Sequence, residues 1–141
     1  PAINWINKGY DIAIVSQHHF QSDFQSPLLR KIFSRGYNAL VRVILNSKIR
    51  GHQGGLKCFR KQVLEDIIPY VKDQWWFWDT EVLMLGQWLG LKIIEMPITG
   101  KYGFGDSTVV LFKDCVGMFR SVLWLKKRRL TELSKLKPKA G

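Results

Sequence analysis

The sequence is poor in acidic residues and contains no long apolar run. Its 141 residues include 11 acids against 22 lysines and arginines, so the net charge is +11. This imbalance predicts an anionic partner: a phosphate, a nucleic acid or an acidic lipid surface. No stretch of about 18 consecutive apolar residues is present, so we expect no segment that crosses a bilayer. The first residues resemble the middle of a protein, and we expect no signal peptide.

Cysteine is also scarce, with Cys58 and Cys115 as its only examples. Their positions fit no metal-binding spacing, and two thiols in such a chain indicate a reducing compartment rather than a disulfide framework. The histidines His18, His19 and His52 also lack the spacing of metal ligands, so we interpret them as ordinary loop residues. The sequence itself therefore predicts no metal site.

Hydrophobic residues make up 46% of the chain, enough for the core of one folded domain. Glycine precedes two short apolar segments, at 10–16 and 91–95, as is typical of buried parallel strands that follow helices. A loop is expected across 17–27. Helical spacing of apolar residues predicts helices over 28–47, 61–68 and 80–89, with a further strand at 56–59. The fold class predicted is α/β, a mixed Rossmann-like sheet with flanking helices.

Basic residues concentrate towards the C-terminus. From residue 120 onwards, eight basic side chains stand against one acid, Glu132. They lie on and after an amphipathic helix predicted over 107–134. Basic and aromatic side chains on one helix are typical of a helix that lies on a membrane surface. The predicted membrane-facing residues are Phe119, Trp124, Lys126, Lys127, Arg128 and Arg129. The alternative is a helix packed on the domain with a solvated basic tail.

Arg30, Ser34 and Asn38 form a polar stripe on the helix predicted over 28–47, because residues four apart share a helix face. A guanidinium grips phosphate oxygens in a bidentate manner, and a hydroxyl one turn away supplies a further hydrogen bond. The stripe therefore suits an acceptor phosphate. Its spacing alone favours a solvated helix face.

Five motifs follow one another across about residues 9–129. They are Gly9-Tyr10-Asp11-Ile12 with Val15-Ser16-Gln17; Arg30, Ser34 and Asn38; Gly51-His52-Gln53-Gly54-Gly55-Leu56-Lys57-Cys58-Phe59-Arg60; Trp76-Phe77-Trp78-Asp79-Thr80-Glu81; and Gly90-Leu91-Lys92-Ile93-Ile94-Glu95-Met96-Pro97-Ile98, followed by Gly105-Asp106-Ser107. Together they resemble the C-terminal half of the family 2 glycosyltransferases that act on dolichyl or polyprenyl phosphate.

This resemblance implies a partial GT-A fold and transfer of a hexose from a UDP- or GDP-hexose to a polyprenyl or dolichyl phosphate. In the family, the N-terminal half holds the nucleotide sugar and a divalent cation, Mg²⁺ or Mn²⁺, with an Asp-x-Asp motif. This sequence contains no Asp-x-Asp, so the missing N-terminal half is an expected partner. The expected location is peripheral, on the cytoplasmic face of a membrane.

The resemblance also implies roles for individual residues. Asp79 and Glu81 are the implied catalytic residues, although the pair also fits a helix N-cap followed by an acid favourable to the helix dipole. The residues implied to lie near the donor are Ser16, Gln17, Gln53, Gly55 and Trp78. The turn at 53–56 equally fits a plain turn into a strand. Lys57 and Arg60 are interpreted as surface or structural charges.

Departures from the family pattern keep two functions open. Gln17 stands where the family has Arg, the Gly51-His52 pair replaces an Asp, and 101–104 lacks a further Arg of the mannosyl enzymes. The first hypothesis is the acceptor half of a hexosyltransferase, inactive alone. The second is a non-catalytic membrane-surface or regulatory module. Nucleic-acid binding rests on charge alone and is not favoured. The expected division is 1–106 for the acceptor half, 107–134 for the helix and 135–141 for a flexible tail.

Overall fold

A mixed α/β arrangement is seen in the computed structural model, which describes residues 2–101 and 111–138. The strands are β1 (Ile12–Val15), β2 (Asp23–Gln25), β3 (Lys57–Phe59), β4 (Ile93–Met96) and β5 (Thr99–Lys101). The helices are α1 (Ala2–Asn7), α2 (Leu28–Leu45), α3 (Lys61–Ile67), α4 (Trp78–Trp88) and α5 (Leu111–Leu130), with a 3₁₀ turn at Ile68–Tyr70. The predicted fold class, a mixed sheet with flanking helices, is confirmed.

Three of the strands form the central sheet, in the order β3-β1-β4. β1 runs antiparallel to β3 and parallel to β4, with Ile12 opposite both Phe59 and Ile93. Because β1 has a neighbour on each side, Ile12, Ala13 and Ile14 are fully buried. This agrees with the nearly continuous apolar sequence of the strand.

The helix α4 forms the centre of the core. Seven consecutive residues, Thr80–Gly86, are buried in it, so the helix is enclosed on every side. The helices α2 and α5 pack against each other, and each contributes apolar side chains to the same core. These include Val41 and Leu45 from α2 and Val122 and Leu125 from α5. The core therefore fixes α2, α4 and α5 around the sheet.

The segment predicted as a loop over 17–27 contains a strand instead. β2 pairs in parallel with β5, about 75 residues later in the chain, with Phe24 opposite Gly100. Ser22 connects this pair to the sheet: its hydroxyl donates to the Ser16 carbonyl at 2.7 Å and accepts from the N–H of Ile98 at 3.0 Å. The prediction was wrong because a pairing so distant in sequence leaves no local apolar pattern.

The C-terminal segment folds back onto the domain after α5. The helix ends at Leu130, and turns follow as far as residue 135. In the predicted flexible tail, Leu136 packs against the core and Pro138 lies beside Gly90. The predicted start of the helix at 107, the glycines 103 and 105, and Asp106-Ser107 lie outside the described residues, as do 139–141. Within the described ranges, no helix has the length and apolarity to cross a membrane.

Candidate functional site

The carboxyl ends of the parallel strands β1 and β4 meet at one edge of the sheet, where Val15 lies opposite Met96. Open α/β sheets bind ligands at this edge, because the loops that leave the strands expose polar groups there. Ser16 directly follows β1 and is fully buried. Its hydroxyl oxygen accepts the N–H of His18 at 3.2 Å, which fixes the start of the following loop.

The loop 51–55 rests directly on the end of β1. A Cβ atom on Gly51 would lie 2.2 Å from the Ser16 hydroxyl oxygen, and one on Gly54 would lie 2.0 Å from the Val15 carbonyl oxygen. Neither position therefore has room for a side chain. The family motif has Asp where this chain has the Gly51-His52 pair, and the contact with Ser16 explains why Gly51 carries no side chain.

Glu95 on β4 fixes the start of this loop by hydrogen bonds. Its carboxylate oxygens accept the backbone N–H groups of Arg50 and Gly51, both at 2.9 Å. Gln53 and Gly55, two of the residues predicted to lie near a donor, are exposed in the same loop. The structure thus places them at the edge where Ser16 and Gln17 follow β1.

A buried histidine fixes the other side of the loop. The backbone N–H of His52 and its ring Nδ1 both contact the Asn38 Oδ1 at 2.9 Å, and its Nε2 contacts the Ser47 hydroxyl at 2.7 Å. Burial, followed by the charges of Lys57 and Arg42, lowers the pKa of His52 to about 3. The ring is therefore neutral near pH 7, donating to Asn38 and accepting from Ser47.

The predicted phosphate stripe on α2 divides into a buried and an accessible part. Asn38 is 5% exposed, and His52 occupies its side-chain oxygen, so it serves the framework of the site. Ser34 is half-buried, and its hydroxyl contacts Gln17 Nε2 at 3.0 Å and His18 Nε2 at 2.8 Å. Arg30 lies one helical turn before Ser34. Ser34 and Gln17 are thus brought together, whereas Asn38 lies behind them.

Lys57 and Asp79 form an ion pair at the site, with 2.9 Å between Nζ and Oδ1. The Lys57 side chain is 7% exposed and also donates to the carbonyl of Gly54, whereas the Asp79 side chain is 37% exposed. Of the two interpretations of Lys57, a surface or a structural charge, the structure therefore agrees with the structural one. The pair joins β3 and α4 to the loop 51–55. Asp79 leaves the remainder of its carboxylate accessible to a ligand.

Glu81 lies away from Asp79. Two residues apart on a helix, their side chains point about 200° apart around the axis. Glu81 is fully buried; its carboxylate accepts the N–H groups of Lys72 and Asp73, at 2.8 to 3.2 Å, and pairs with Arg128 of α5. The structure thus gives Glu81 a place in the core, where it ties α4 to α5.

The predicted membrane-facing residues on α5 divide into exposed and buried ones. Phe119, Trp124, Lys126 and Lys127 are exposed. Arg128 is 4% exposed, and its guanidinium also donates to the Tyr70 carbonyl at 3.0 Å, so it faces the protein rather than a membrane. Arg129 is half-buried, with its guanidinium 5.2 Å from the ring centre of Trp88.

Trp78, also predicted to lie near a donor, is partly buried beside Phe59, with their ring centres 6.4 Å apart. It lines an open recess of about 500 Å³ together with Ile68, Val71, Asp73 and Gln74.

Arg60 pairs with Asp11 at 3.4 Å, which agrees with its interpretation as a structural charge.

Within 2–101 and 111–138, no three His, Cys, Asp or Glu side chains come together as a metal site.

The group of side chains at the carboxyl end of β1, called the edge site below, contains three residues that were not recognised from the sequence: His18, His52 and Lys57. His52 and Lys57 belonged to a motif that pointed to the site, whereas His18 belonged to none. The histidines gave no local signal, because their side-chain partners lie in α2 or just after it.

Comparison with known proteins adds an independent line of evidence. No family model matches the chain. Glycosyltransferase AglD of Haloferax volcanii is 38% identical to it over 114 residues. Two proteins named dolichyl-phosphate beta-glucosyltransferase, from Saccharomyces cerevisiae and Dictyostelium discoideum, are 28% and 26% identical over 114 and 132 residues. These alignments cover 81%, 74% and 90% of the chain.

The chain is a homologue of proteins named as glycosyltransferases, two of which are dolichyl-phosphate beta-glucosyltransferases. The resemblance indicated by the five motifs is thereby confirmed. This glycosyltransferase homologue spans only part of those relatives, namely 18% of the Haloferax protein, 34% of the yeast protein and 40% of the Dictyostelium protein. Apart from His18, the residues of the edge site described above lie within the motifs that carry the resemblance.

Proposed function

We propose that this chain forms the acceptor side of a GT-A enzyme that transfers a hexose from a nucleotide sugar to dolichyl or polyprenyl phosphate. The observation that carries the proposal is its similarity to two dolichyl-phosphate beta-glucosyltransferases over 74% and 90% of its length. The grouping of hydrogen-bond donors and a buried cation at the carboxyl end of β1 supports it further.

Transfer of a hexose to a lipid phosphate needs groups of the kind found at this site. A lipid monophosphate is already an anion near pH 7, so the transfer needs positioning and charge stabilisation more than a strong base. One phosphate oxygen forms a bond to the anomeric carbon of the sugar, and the nucleoside diphosphate leaves with the bonding electron pair. We assign Arg30 and Ser34 to the acceptor phosphate. Gln17, which the resemblance had implied to lie near the donor, is assigned with them because its side-chain amide donates to the Ser34 hydroxyl.

Lys57 and Asp79 are assigned to the reacting end of the site. The Lys57 ammonium has three N–H donors, of which Asp79 and the Gly54 carbonyl take two. The third is available to an anionic oxygen. We assign Asp79, which is held by Lys57 and partly exposed, to contact with the hexose. Gln53 and Gly55 complete the donor side in this proposal.

The divalent cation expected for the family, Mg²⁺ or Mn²⁺, would assist the departure of the diphosphate. The described residues do not fit a metal site on their own, because they bring no three ligand side chains together. We propose that residues of a donor-binding half outside this sequence hold the cation.

For the location, we propose a peripheral position on the cytoplasmic face of a membrane. Phe119 and Trp124 would enter the lipid interface, and Lys126 and Lys127 would contact anionic headgroups. Arg128 is left out of this surface because it is buried. Such docking would bring the edge of the sheet close to a lipid-borne phosphate.

The transfer reaction is tested with a polypeptide that joins this chain to a donor-binding region, incubated with labelled UDP-glucose or GDP-mannose and dolichyl phosphate. Ser34→Ala is expected to lower kcat/KM for dolichyl phosphate by about 10- to 100-fold, since a hydrogen bond to a charged group contributes about 1.5–3 kcal/mol. The KM for the nucleotide sugar should not change.

Ser134→Ala provides the matched control, because Ser134 is exposed in the turns after α5. Within the part of the chain that the structure describes, its hydroxyl donates to the Thr131 carbonyl alone. Its kcat/KM should equal that of the unmodified protein. If a correctly folded protein transferred no hexose, the enzyme proposal would be wrong and a non-catalytic membrane-surface module would be favoured.

Membrane docking gives a separate prediction. The double substitution Lys126→Gln with Lys127→Gln should weaken binding to phosphatidylglycerol-containing vesicles by about 30-fold, because each lysine near an anionic surface contributes about 1 kcal/mol. Vesicle sedimentation measures the effect. Lys48→Gln with Lys61→Gln removes two exposed charges outside α5 as a control. Equal losses in the two double variants would contradict a surface centred on α5.

A further inference from the structure

Among the described residues, the Ser34 hydroxyl contacts two polar side-chain atoms, and only one of them has a fixed role as donor or acceptor. The side-chain amide nitrogen of Gln17, at 3.0 Å, can only donate, so the Ser34 oxygen accepts from it. The other neighbour is His18 Nε2 at 2.8 Å. An imidazole nitrogen accepts when it lacks a proton and donates when it carries one. Whether Nε2 of His18 carries a proton therefore decides where the single Ser34 proton points.

Two arrangements follow from these contacts. When Nε2 of a neutral His18 lacks a proton, it accepts a hydrogen bond from the Ser34 O–H, and the hydroxyl has no proton to offer to a ligand. When Nε2 carries a proton, in the neutral tautomer protonated there or in the imidazolium, it donates to Ser34. The Ser34 oxygen then accepts from both neighbours, and its own O–H is available to a third group. An anion beside Ser34 is satisfied only by the second arrangement, and its negative charge favours the imidazolium over the neutral tautomer.

We propose that His18 controls the direction of the Ser34 hydroxyl, so that binding of a phosphate monoester is coupled to uptake of one proton by the imidazole. This inference rests on the assignment of Ser34 to the acceptor phosphate in the proposed function. His18 is a positioning residue in this proposal, because it acts on the phosphate through Ser34. No motif of the sequence includes His18.

The surroundings of His18 favour a neutral ring until the anion arrives. Burial, followed by the charge of Arg35 on α2, lowers the pKa of His18, while Glu95 on β4 opposes them. His52, which lies near His18, is neutral. A phosphate dianion next to Ser34 adds negative charge close to the ring, which favours the imidazolium form. Proton uptake on binding therefore follows from the charges around the site.

The sign of the pH effect separates this mechanism from titration of the ligand. A phosphate monoester becomes more negative as the pH rises through about 6, so on its own it should bind a basic site more tightly at higher pH. Coupling to His18 acts in the opposite direction, because the proton that binding requires becomes scarce. Weaker binding at higher pH is therefore the signature of the His18 mechanism.

The test is a calorimetric titration of the 141-residue chain with citronellyl phosphate, a short water-soluble isoprenyl monophosphate, at about pH 6 and about pH 8. We expect binding to be about tenfold weaker at the higher pH, with up to one proton taken up when buffers of different ionisation enthalpy are compared. His18→Asn should abolish both the proton uptake and the loss of affinity, so that this variant binds the probe equally well or more tightly at the higher pH. Circular dichroism confirms that each variant is folded.

Two variants make the inference falsifiable. His19→Asn alters the neighbouring histidine, whose ring accepts the N–H of Gln21, and should keep the behaviour of the unmodified chain. Ser34→Ala should bind more weakly and lose the pH effect. If His18→Asn or Ser34→Ala still bound the probe more weakly at the higher pH, the coupling through Ser34 would be wrong. The assignment of a phosphate site would remain valid. If the unmodified, folded chain bound no probe at either pH, the phosphate assignment would fail, and the coupling with it.

Discussion

Replacement of Arg128 by Met is expected to lower the free energy of unfolding by about 3–5 kcal/mol, because it leaves the Glu81 carboxylate buried without its cation. Both side chains are almost fully buried, at 5% and 0% exposure, so water cannot replace the lost partner. Arg128 also donates to the Tyr70 carbonyl and lies 4.9 Å from the ring centre of Trp124. The substitution therefore removes the main polar connection between α4 and α5.

Urea unfolding followed by circular dichroism measures this loss. Lys127→Met is the matched control, since the exposed neighbour should change stability by less than about 0.5 kcal/mol. Arg128→Lys should fall between the two, because an ammonium keeps the charge but lacks the planar fork that reaches both Glu81 and Tyr70. Equal stability of the Arg128→Met and Lys127→Met variants would show that Glu81 does not depend on Arg128.

Lys57→Met is expected to reduce hexose transfer by about 100-fold, the usual effect of removing one donor aimed at charge in a reacting site. The cost to stability should be far smaller, about 1 kcal/mol, because Asp79 is 37% exposed and water can hydrate its carboxylate. A large effect on rate with a small effect on folding would place Lys57 in the reaction that we propose.

The transfer assay and urea unfolding together measure the two effects. Lys61→Met is the control: this lysine is 91% exposed and pairs with Glu65 only at 3.8 Å, so neither rate nor stability should change appreciably. Transfer by the Lys57→Met variant at the unmodified rate would exclude Lys57 from the site. A loss of rate explained wholly by unfolding would reduce it to a structural residue.

The sequence predicted the regular elements wherever the signal was local. The apolar run of β1 and the helical spacing of α2 and α4 depend on neighbouring residues, and the structure has all three elements close to the predicted positions. The strands β2 and β5 were missed, because each has three residues and forms only by pairing with a distant segment. Strand propensity in so short a segment is decided by its partner.

For the site, the sequence by itself determined the family motifs, the basic character of the chain and the positions of Ser34 and Asp79. The tertiary structure decided which side chains share an environment. It separated Glu81 from Asp79, moved Arg128 from the predicted membrane face into the core, and joined Lys57 to Asp79 and His18 to Ser34. Burial and pairing depend on how α2, α4 and α5 pack around the sheet, and a sequence pattern read one segment at a time carries no record of that packing.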